Sequence, residues 1–173
     1  MDRVIEQTCC FFGHRNINKT DELKLKLYNE IENLVAKENI NIFLFGSKSE
    51  FDDLCYKTVS ALMKKYPYIK RIYVRAEFPY IDDSYKEYLL KSYEDTYYPS
   101  KIVGAGKAAY VERNQEMIDN SDYCICYYDE EYLPPRRKSG KRGVTYSQPQ
   151  SGCAIAYDYA LKNKKRIINV FSG

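Results

Sequence analysis

Short apolar runs alternate along the chain with longer segments in which apolar residues recur at helical spacing. The clearest runs are residues 8–12, 41–45, 71–75, 123–127 and 166–170. Between the first two runs, apolar residues recur every three or four positions, at Leu23, Leu27, Ile31 and Leu34. Such alternation is typical of parallel strands joined by crossover helices. We therefore expect an α/β domain, Rossmann-like, with a mostly parallel sheet and helices on both faces.

Polar residues mark where the helices begin. Thr20 precedes two acidic residues at the start of the first helical segment, and Ser49 has Asp52 three residues later, which is the spacing of a capping box. Further helices are predicted near residues 85–93, over 108–120 and from Ser151-Gly152 to Lys162. We find no hairpin signal, internal repeat or linker, so residues 1–173 are predicted to form a single domain.

Composition narrows the class of protein. The 173 residues are 45% hydrophobic, enough for one core. The first residues lack the apolar run of a secretory signal, and no stretch approaches ~18 apolar residues, so we expect a cytoplasmic protein with no membrane contact. Most of the six cysteines lie in apolar runs, as in Cys124-Ile125-Cys126, and are predicted to be reduced core residues. No zinc-type spacing is present, so we predict no metal and no cofactor.

One segment is strongly basic, although the net charge of the chain is only +3. Its charged residues are Arg136, Arg137, Lys138, Lys141 and Arg142. The segment is interpreted either as a solvated surface loop or as a loop that contacts phosphate or nucleic acid.

Three turns that contain glycine lie between a predicted strand and the helix after it. They are Gly13-His14-Arg15, Gly46-Ser47 and Ser151-Gly152. In an open parallel sheet such turns meet at the carboxyl edge, where helix N-termini attract anions. The alternative is that each glycine only ends a strand. His14 is the only histidine and is either a ligand contact or a structural donor, and Asp52 either completes its capping box or binds a ligand hydroxyl.

These turns also carry a resemblance to a known superfamily. The segment Thr8 to Arg15 resembles the T-x-C-F-T-G-H-R-P opening of YpsA-like proteins in the SLOG superfamily, and residues 113–122 resemble their R-N-x-x-M-V-D-x-S-D segment. Ser151-Gly152-Cys153 is similar to their G-G-T turn. The superfamily includes Lonely Guy phosphoribohydrolases and DprA/Smf DNA-processing proteins. The resemblance implies that Arg113 and Asn114 face the crevice; the alternative is a surface arginine and a buried asparagine.

Departures from the family pattern limit the predicted function. The proline after G-H-R is Asn16, and the catalytic glutamate of the Lonely Guy motif has no equivalent because Ala156 and Tyr157 occupy that stretch. Without this acid, cleavage of a glycosidic bond lacks its most obvious catalytic group, so whether the protein is an enzyme stays open, with no catalytic residue assigned.

The predicted function is binding of a nucleotide-type or phosphate-bearing small ligand at the carboxyl edge of the sheet, in a sensor role or otherwise. The predicted ligand-binding residues are Gly13, His14, Arg15, Gly46, Ser47, Asp52, Arg113, Asn114, Ser151 and Gly152. Among them, the glycine turns, His14 and Arg15 would frame the phosphate, and Asp52 and Asn114 would hold ribose or base. The alternatives are a nucleotide N-glycosidase and single-stranded nucleic-acid binding through the basic segment. Assembly into a homo-oligomer is left open.

Overall fold

The computed structural model describes residues 7–47, 49–76, 83–100, 108–132, 137–139, 145–147 and 152–172. The strands are β1 (Gln7–Gly13), β2 (Ile40–Phe45), β3 (Lys70–Val74), β4 (Asp95–Tyr97), β5 (Tyr123–Tyr127), β6 (Arg137–Ser139), β7 (Thr145–Ser147) and β8 (Arg166–Asn169). The helices are α1 (Asp21–Lys37), α2 (Glu50–Leu62), α3 (Asp83–Leu90), α4 (Ala109–Asp119) and α5 (Gly152–Lys162).

Six strands form one sheet in the order β4-β3-β2-β1-β5-β8, and every neighbouring pair is parallel. The chain builds outward from β1 through β4 and then returns to the other side of β1 with β5. This reversal makes β1 and β5 the switch point of the sheet, where Gly13 is paired with Tyr127 at the carboxyl ends. The Rossmann-like α/β prediction is confirmed.

The sheet has a hydrophobic core on each face because successive strand residues point to opposite sides. Cys9 and Phe11 of β1 pack in one core with α1, α2 and Leu89 of α3. Cys10 and Phe12 pack in the other core with residues of α4 and α5. Helices therefore cover both faces, as predicted.

The N-cap predictions are confirmed for α1 and α2. Thr20 Oγ1 accepts a hydrogen bond from the Leu23 N–H at 3.1 Å, and Ser49 Oγ accepts one from the Asp52 N–H at 3.0 Å. The capping box at α2 is not reciprocal, however, because the Ser49 N–H donates to Ser47 Oγ at 3.4 Å. The carboxyl group of Asp52 is therefore left for another role.

Three elements differ from the predictions. No strand is predicted where β4 lies, because three residues are too few to show a strand pattern. The basic segment, interpreted as a loop, contains the antiparallel ribbon β6–β7. This pairing has no alternating apolar signal in the sequence. The apolar run at residues 166–170 would suit a buried strand, but β8 is half-exposed because it is an edge strand with one neighbour in the sheet.

All six cysteines are buried free thiols, as predicted. Cys124 and Cys126 of β5 lie in the same core as Cys10 and Cys153. Within the described ranges, His, Cys, Asp and Glu side chains form no group of three able to hold a metal ion. None of the helices in the described part of the chain combines the length and apolar character needed to cross a lipid bilayer.

Candidate functional site

The turn after β1 meets the start of α5 at the switch point of the sheet. The backbone N–H of His14 donates to the Tyr127 carbonyl at 3.4 Å, and the Cys153 thiol donates to the same oxygen at 3.4 Å. We call this region, comprising His14, Arg15, Tyr127, Gly152 and Cys153, the switch-point crevice. The topology thus brings together two turns that are about 140 residues apart in the sequence.

The N-terminus of α5 is suited to an anion. Its first turn contains no acidic residue, so no carboxylate competes for the positive end of the helix dipole. Gly152 is exposed, and a Cβ built there would have no atom of the described residues within 4 Å, so these residues leave its backbone open to close approach. Burial raises the pKa of the Cys153 thiol to about 12, which makes this thiol a poor nucleophile at neutral pH.

His14 is 2% exposed and is held by the loop after β5. Its Nε2 accepts a hydrogen bond from the Asp129 N–H at 2.9 Å, and its ring stacks on Tyr132 with centroids 3.9 Å apart. Burial lowers the pKa of His14, partly opposed by Asp129. The neutral ring that accepts at Nε2 carries its proton on Nδ1, and Nδ1 has no hydrogen-bond partner among the described residues. A buried donor is therefore left at the carboxyl edge.

Packing accounts for glycine at two of the predicted positions. A Cβ at Gly13 would lie 2.4–2.8 Å from atoms of the Phe51 side chain. A Cβ at Gly46 would lie 2.6 Å from Arg113 Cδ and 2.9 Å from Met117 Sδ. Gly13 and Gly46 thus have a structural reason to be glycine, whereas Gly152 faces open space.

A second region lies beside the N-terminus of α2, on the face covered by α1, α2 and α3. It is a cleft of about 530 Å³ lined by three carboxyl groups, five tyrosines, three serines and a leucine: Glu50, Asp52, Asp53, Tyr56, Tyr73, Tyr85, Tyr88, Tyr93, Ser47, Ser49, Ser92 and Leu89. We call it the carboxylate–tyrosine cleft. No basic side chain is among these described lining residues. The cleft is therefore negative and rich in aromatic surface.

Asp52 is the most unusual residue of this cleft. Its side chain is 4% exposed and accepts a hydrogen bond from the Gly46 N–H, while Oδ1 has no partner in the described part of the chain. Burial raises the pKa of Asp52 to about 8, against the opposing effect of the Arg113 charge. The carboxyl group is thus largely protonated at neutral pH and lacks part of its hydrogen bonding.

Arg113 joins the two faces of the sheet at this point. It is 3% exposed, Nη1 donates to the Gly46 carbonyl, and Nε donates to Asn114 Oδ1 at 3.2 Å. Its guanidinium also lies 5.5 Å from the centroid of the Tyr110 ring. Arg113 is therefore a buried residue that orders the end of β2, and not a surface arginine.

Glu50 connects the two regions. Its N–H donates to the Arg15 carbonyl at 2.8 Å, and its Oε2 accepts from the Ile17 N–H at 2.8 Å. The wall of the carboxylate–tyrosine cleft is thus bonded directly to the turn that forms the switch-point crevice. The two regions are neighbours along one edge of the sheet.

Most of the ten predicted site residues fall into these regions. His14, Arg15 and Gly152 lie at the crevice, with Gly13 at the end of β1 beneath it. Gly46, Ser47, Asp52, Arg113 and Asn114 lie in or beside the cleft. Ser151, and the side chains of the basic segment from Arg136 to Arg142, are outside the described residues.

Sequence reasoning missed the aromatic part of the site. Tyr132 stacks on His14, and Tyr56, Tyr73, Tyr85, Tyr88 and Tyr93 line the cleft. With 19 tyrosines in the chain, none stood out individually. The clustering between residues 85 and 98 was the one signal that could have been used.

No protein-family model matches the chain, and no similar sequence was found among curated proteins. Among solved structures, the molybdenum cofactor carrier protein of Chlamydomonas reinhardtii is similar, with a TM-score of 0.50 and 14% sequence identity. The match covers 94% of this chain and 75% of the other. This similarity supports the α/β fold.

Proposed function

We propose that this protein binds a nucleotide-type small ligand along the carboxyl edge of its sheet, with a phosphate at the N-terminus of α5. The observation that carries the proposal is the meeting of His14 and Cys153 on one carbonyl, that of Tyr127. Arg15 follows His14 in this turn and is exposed, and Nδ1 of His14 has no hydrogen-bond partner among the described residues. A helix N-terminus with no acid in its first turn favours an anion, and a guanidinium is a suitable donor to phosphate.

The nucleoside part of the ligand belongs toward α2. Ser47 and Asp52 line the cleft there, and Glu50 is hydrogen-bonded to the Arg15 backbone, so a ligand anchored at α5 has a continuous path to the cleft. We place the phosphate away from Gly46 and Ser47, because the first turn of α2 already carries three carboxylates.

We infer further that the chain is a SLOG-type domain. The support is that Arg113, which the resemblance places at the crevice, contacts the Gly46 carbonyl and lies within electrostatic range of Asp52. A small-ligand role is also compatible with the name of the molybdenum cofactor carrier protein, which shares the fold.

The six free thiols fit a reducing compartment, and we place the protein in the cytoplasm.

The test begins with a thermal-shift screen over nucleotides, cyclic dinucleotides and ADP-ribose derivatives, since a ligand that binds only the folded state raises its stability. The strongest binder is then titrated calorimetrically against Arg15→Ala and Gly152→Val. Arg15→Ala is expected to weaken binding about 10- to 100-fold by removing a charged hydrogen bond. Gly152→Val should block close approach of the phosphate while the fold is retained.

The matched control is Lys19→Ala, which removes an exposed positive charge from the same loop without touching the crevice. Its affinity should stay within about twofold of wild type, since an exposed charge at that distance is largely screened by salt. Unchanged affinity in both Arg15→Ala and Gly152→Val, with native circular dichroism, would contradict the phosphate placement.

A second candidate is a nucleotide N-glycosidase, favoured by one observation. Asp52 is a carboxyl group with a pKa raised to about 8 near the buried Arg113, and a general acid must be protonated at working pH. Chromatography of the screened ligands after incubation with the protein would show a free base if this activity exists. The Asp52→Asn variant should then release none. Nucleic-acid contact by the basic segment stays a prediction.

A further inference from the structure

The carboxylate–tyrosine cleft differs chemically from a phosphate site, although it lies on the same edge of the sheet. Three carboxyl groups, from Glu50, Asp52 and Asp53, line one wall at the start of α2. Among the described residues no lysine or arginine lines the cleft, although Lys57 pairs with Asp53 at 3.0 Å and Arg113 lies within electrostatic range of Asp52. Glu50 is the lining carboxylate with no ion pair in the described part of the chain, so it would repel an anionic group and attract a positive one.

One oxygen of the Asp52 carboxyl group has an unused hydrogen-bonding capacity within the described part of the chain. Asp52 is 4% exposed, lines the cleft, and has an Oδ1 atom with no hydrogen bond among the described residues. A buried acceptor left unsatisfied costs free energy unless a ligand supplies the missing partner. This observation is independent of the number of acidic residues.

Tyrosine rings supply the other walls. Tyr56 and Tyr93 have ring centroids 5.1 Å apart, and Tyr85 and Tyr88 form a stacked pair with centroids 6.3 Å apart. Tyr88 is 66% exposed, which is unusual for a large aromatic side chain on a short helix. Aromatic faces next to carboxylates are the combination that recognises flat organic cations.

We propose that this cleft takes the base end of the nucleotide and selects a heterocycle that carries a positive charge over a neutral one of the same shape. The inference rests on the proposed function, because it assigns the base of the same nucleotide to this cleft. The charge of the heterocycle would interact with Asp52 and the tyrosine faces, and the phosphate would remain at α5.

The charged and titratable groups around Asp52 come from three parts of the fold. Arg113 faces it from α4, Asp53 and Cys55 belong to α2, and Tyr93 follows α3. Arg113 is engaged with the Gly46 carbonyl. A bound cation would favour the ionised form of Asp52, so binding at pH 7 should release a proton.

The experiment uses two nucleosides that differ in charge and lack phosphate. Nicotinamide riboside has a cationic ring, and its 1,4-dihydro form has a neutral ring of nearly the same shape. Calorimetric titration of the full chain should show about tenfold tighter binding of the cationic form. Repeating the titration in buffers of different ionisation enthalpy should show release of up to one proton per site.

Asp52→Asn is the first variant, and Glu87→Gln is its matched control. Glu87 is an exposed carboxylate of α3 that does not line the cleft, so its removal should leave the tenfold preference intact. Asp52→Asn should reduce the preference below about threefold and abolish proton release. The measured quantity is the ratio of the two affinities of one variant, for the cationic and for the neutral nucleoside. A change in the stability of that variant affects both affinities equally and cancels in the ratio.

Tyr88→Ala provides a second route to the same test, since removing this exposed ring spares the core. It should lower the preference for the cationic nucleoside. The inference would be overturned if the wild type bound both nucleosides equally or bound neither, or if Asp52→Asn kept the full preference. If Arg15→Ala still weakens nucleotide binding in that case, the proposed function survives. If the cationic nucleoside is preferred but adding a phosphate to it does not raise the affinity, the result supports the cleft and contradicts the phosphate site.

Discussion

The N-termini of α2 and α5 lie on the same edge of one sheet and are chemically opposite. The first turn of α2 holds Glu50, Asp52 and Asp53 and is capped by Ser49, whereas the first turn of α5 has no acidic residue. Both helices follow parallel strands and both have positive dipole ends. At α2 the protein places its own carboxyl groups at that end, whereas the described first turn of α5 places none there.

This difference teaches how one fold gives opposite charges to two turns on the same edge of a sheet. Strand-to-helix turns of a parallel sheet all reach the same edge, so topology alone makes each of them a candidate phosphate site. The side chains of the first helical turn then decide the sign of charge that each turn accepts. Glycine at a turn is not sufficient, because Gly13 and Gly46 are accounted for by Phe51 and Arg113.

The largest effect is expected from Asp52→Asn, measured as the free energy of unfolding against pH. The pKa of Asp52 is about 8 in the fold and about 4 in the unfolded chain, so stability falls as the pH rises from about 4 to about 8 and then levels off. Asp52→Asn lacks this loss and should exceed wild type at pH 9 by up to about 5 kcal/mol.

Denaturant melts at pH 4.5 and pH 9 check this prediction, and Asp53→Asn is the control for removing an exposed carboxylate. If Asp52→Asn is less stable than wild type at both pH values, Asp52 acts as a structural partner of Arg113. The carboxyl groups at the N-terminus of α2 would then have a structural role and not a role in ligand binding.

A smaller effect is expected from alanine at the two glycines of the crevice. Gly13→Ala forces a methyl group against the Phe51 side chain, including its Cβ, which cannot turn away, and should destabilise the fold by about 1–3 kcal/mol. Gly152→Ala adds a methyl in open space and should change stability by less than about 0.5 kcal/mol. Urea midpoints of the two variants measure the difference. Equal destabilisation would show that Gly152 is also a packing glycine.

The smallest effect concerns His14 and the acid side of the stability curve. Because burial lowers its pKa in the fold, the unfolded chain takes up a proton first as the pH falls below about 6.5, and stability is lost there. His14→Gln should therefore lose less stability than wild type between pH 7.5 and 5.5. The comparison with wild type also removes the opposite contribution of Asp52. A steeper loss in His14→Gln would mean that His14 is charged in the fold.

Local sequence determined much of this fold. The spacing of Leu23, Leu27 and Ile31 produced α1, the side chain of Ser49 capped α2, and the apolar run at residues 123–127 produced the central strand β5. These features depend on neighbouring residues, so periodicity and capping rules were enough. The short β4 and the ribbon β6–β7 escaped because their pairing depends on partners outside the segment.

The residues of the candidate site could be selected from the sequence, but their roles could not. Sequence motifs pointed to His14, Asp52 and Arg113, but the partners of His14 and Arg113 lie far away in the chain, at Asp129 and Gly46. For Asp52 Oδ1 the described residues supply no partner. Burial, hydrogen bonding and pKa depend on what the fold places around a group. The sequence by itself therefore determined the elements and the candidate residues, and only the tertiary structure decided how deeply each candidate side chain is buried and which described groups it contacts, because both depend on residues that are distant in the chain.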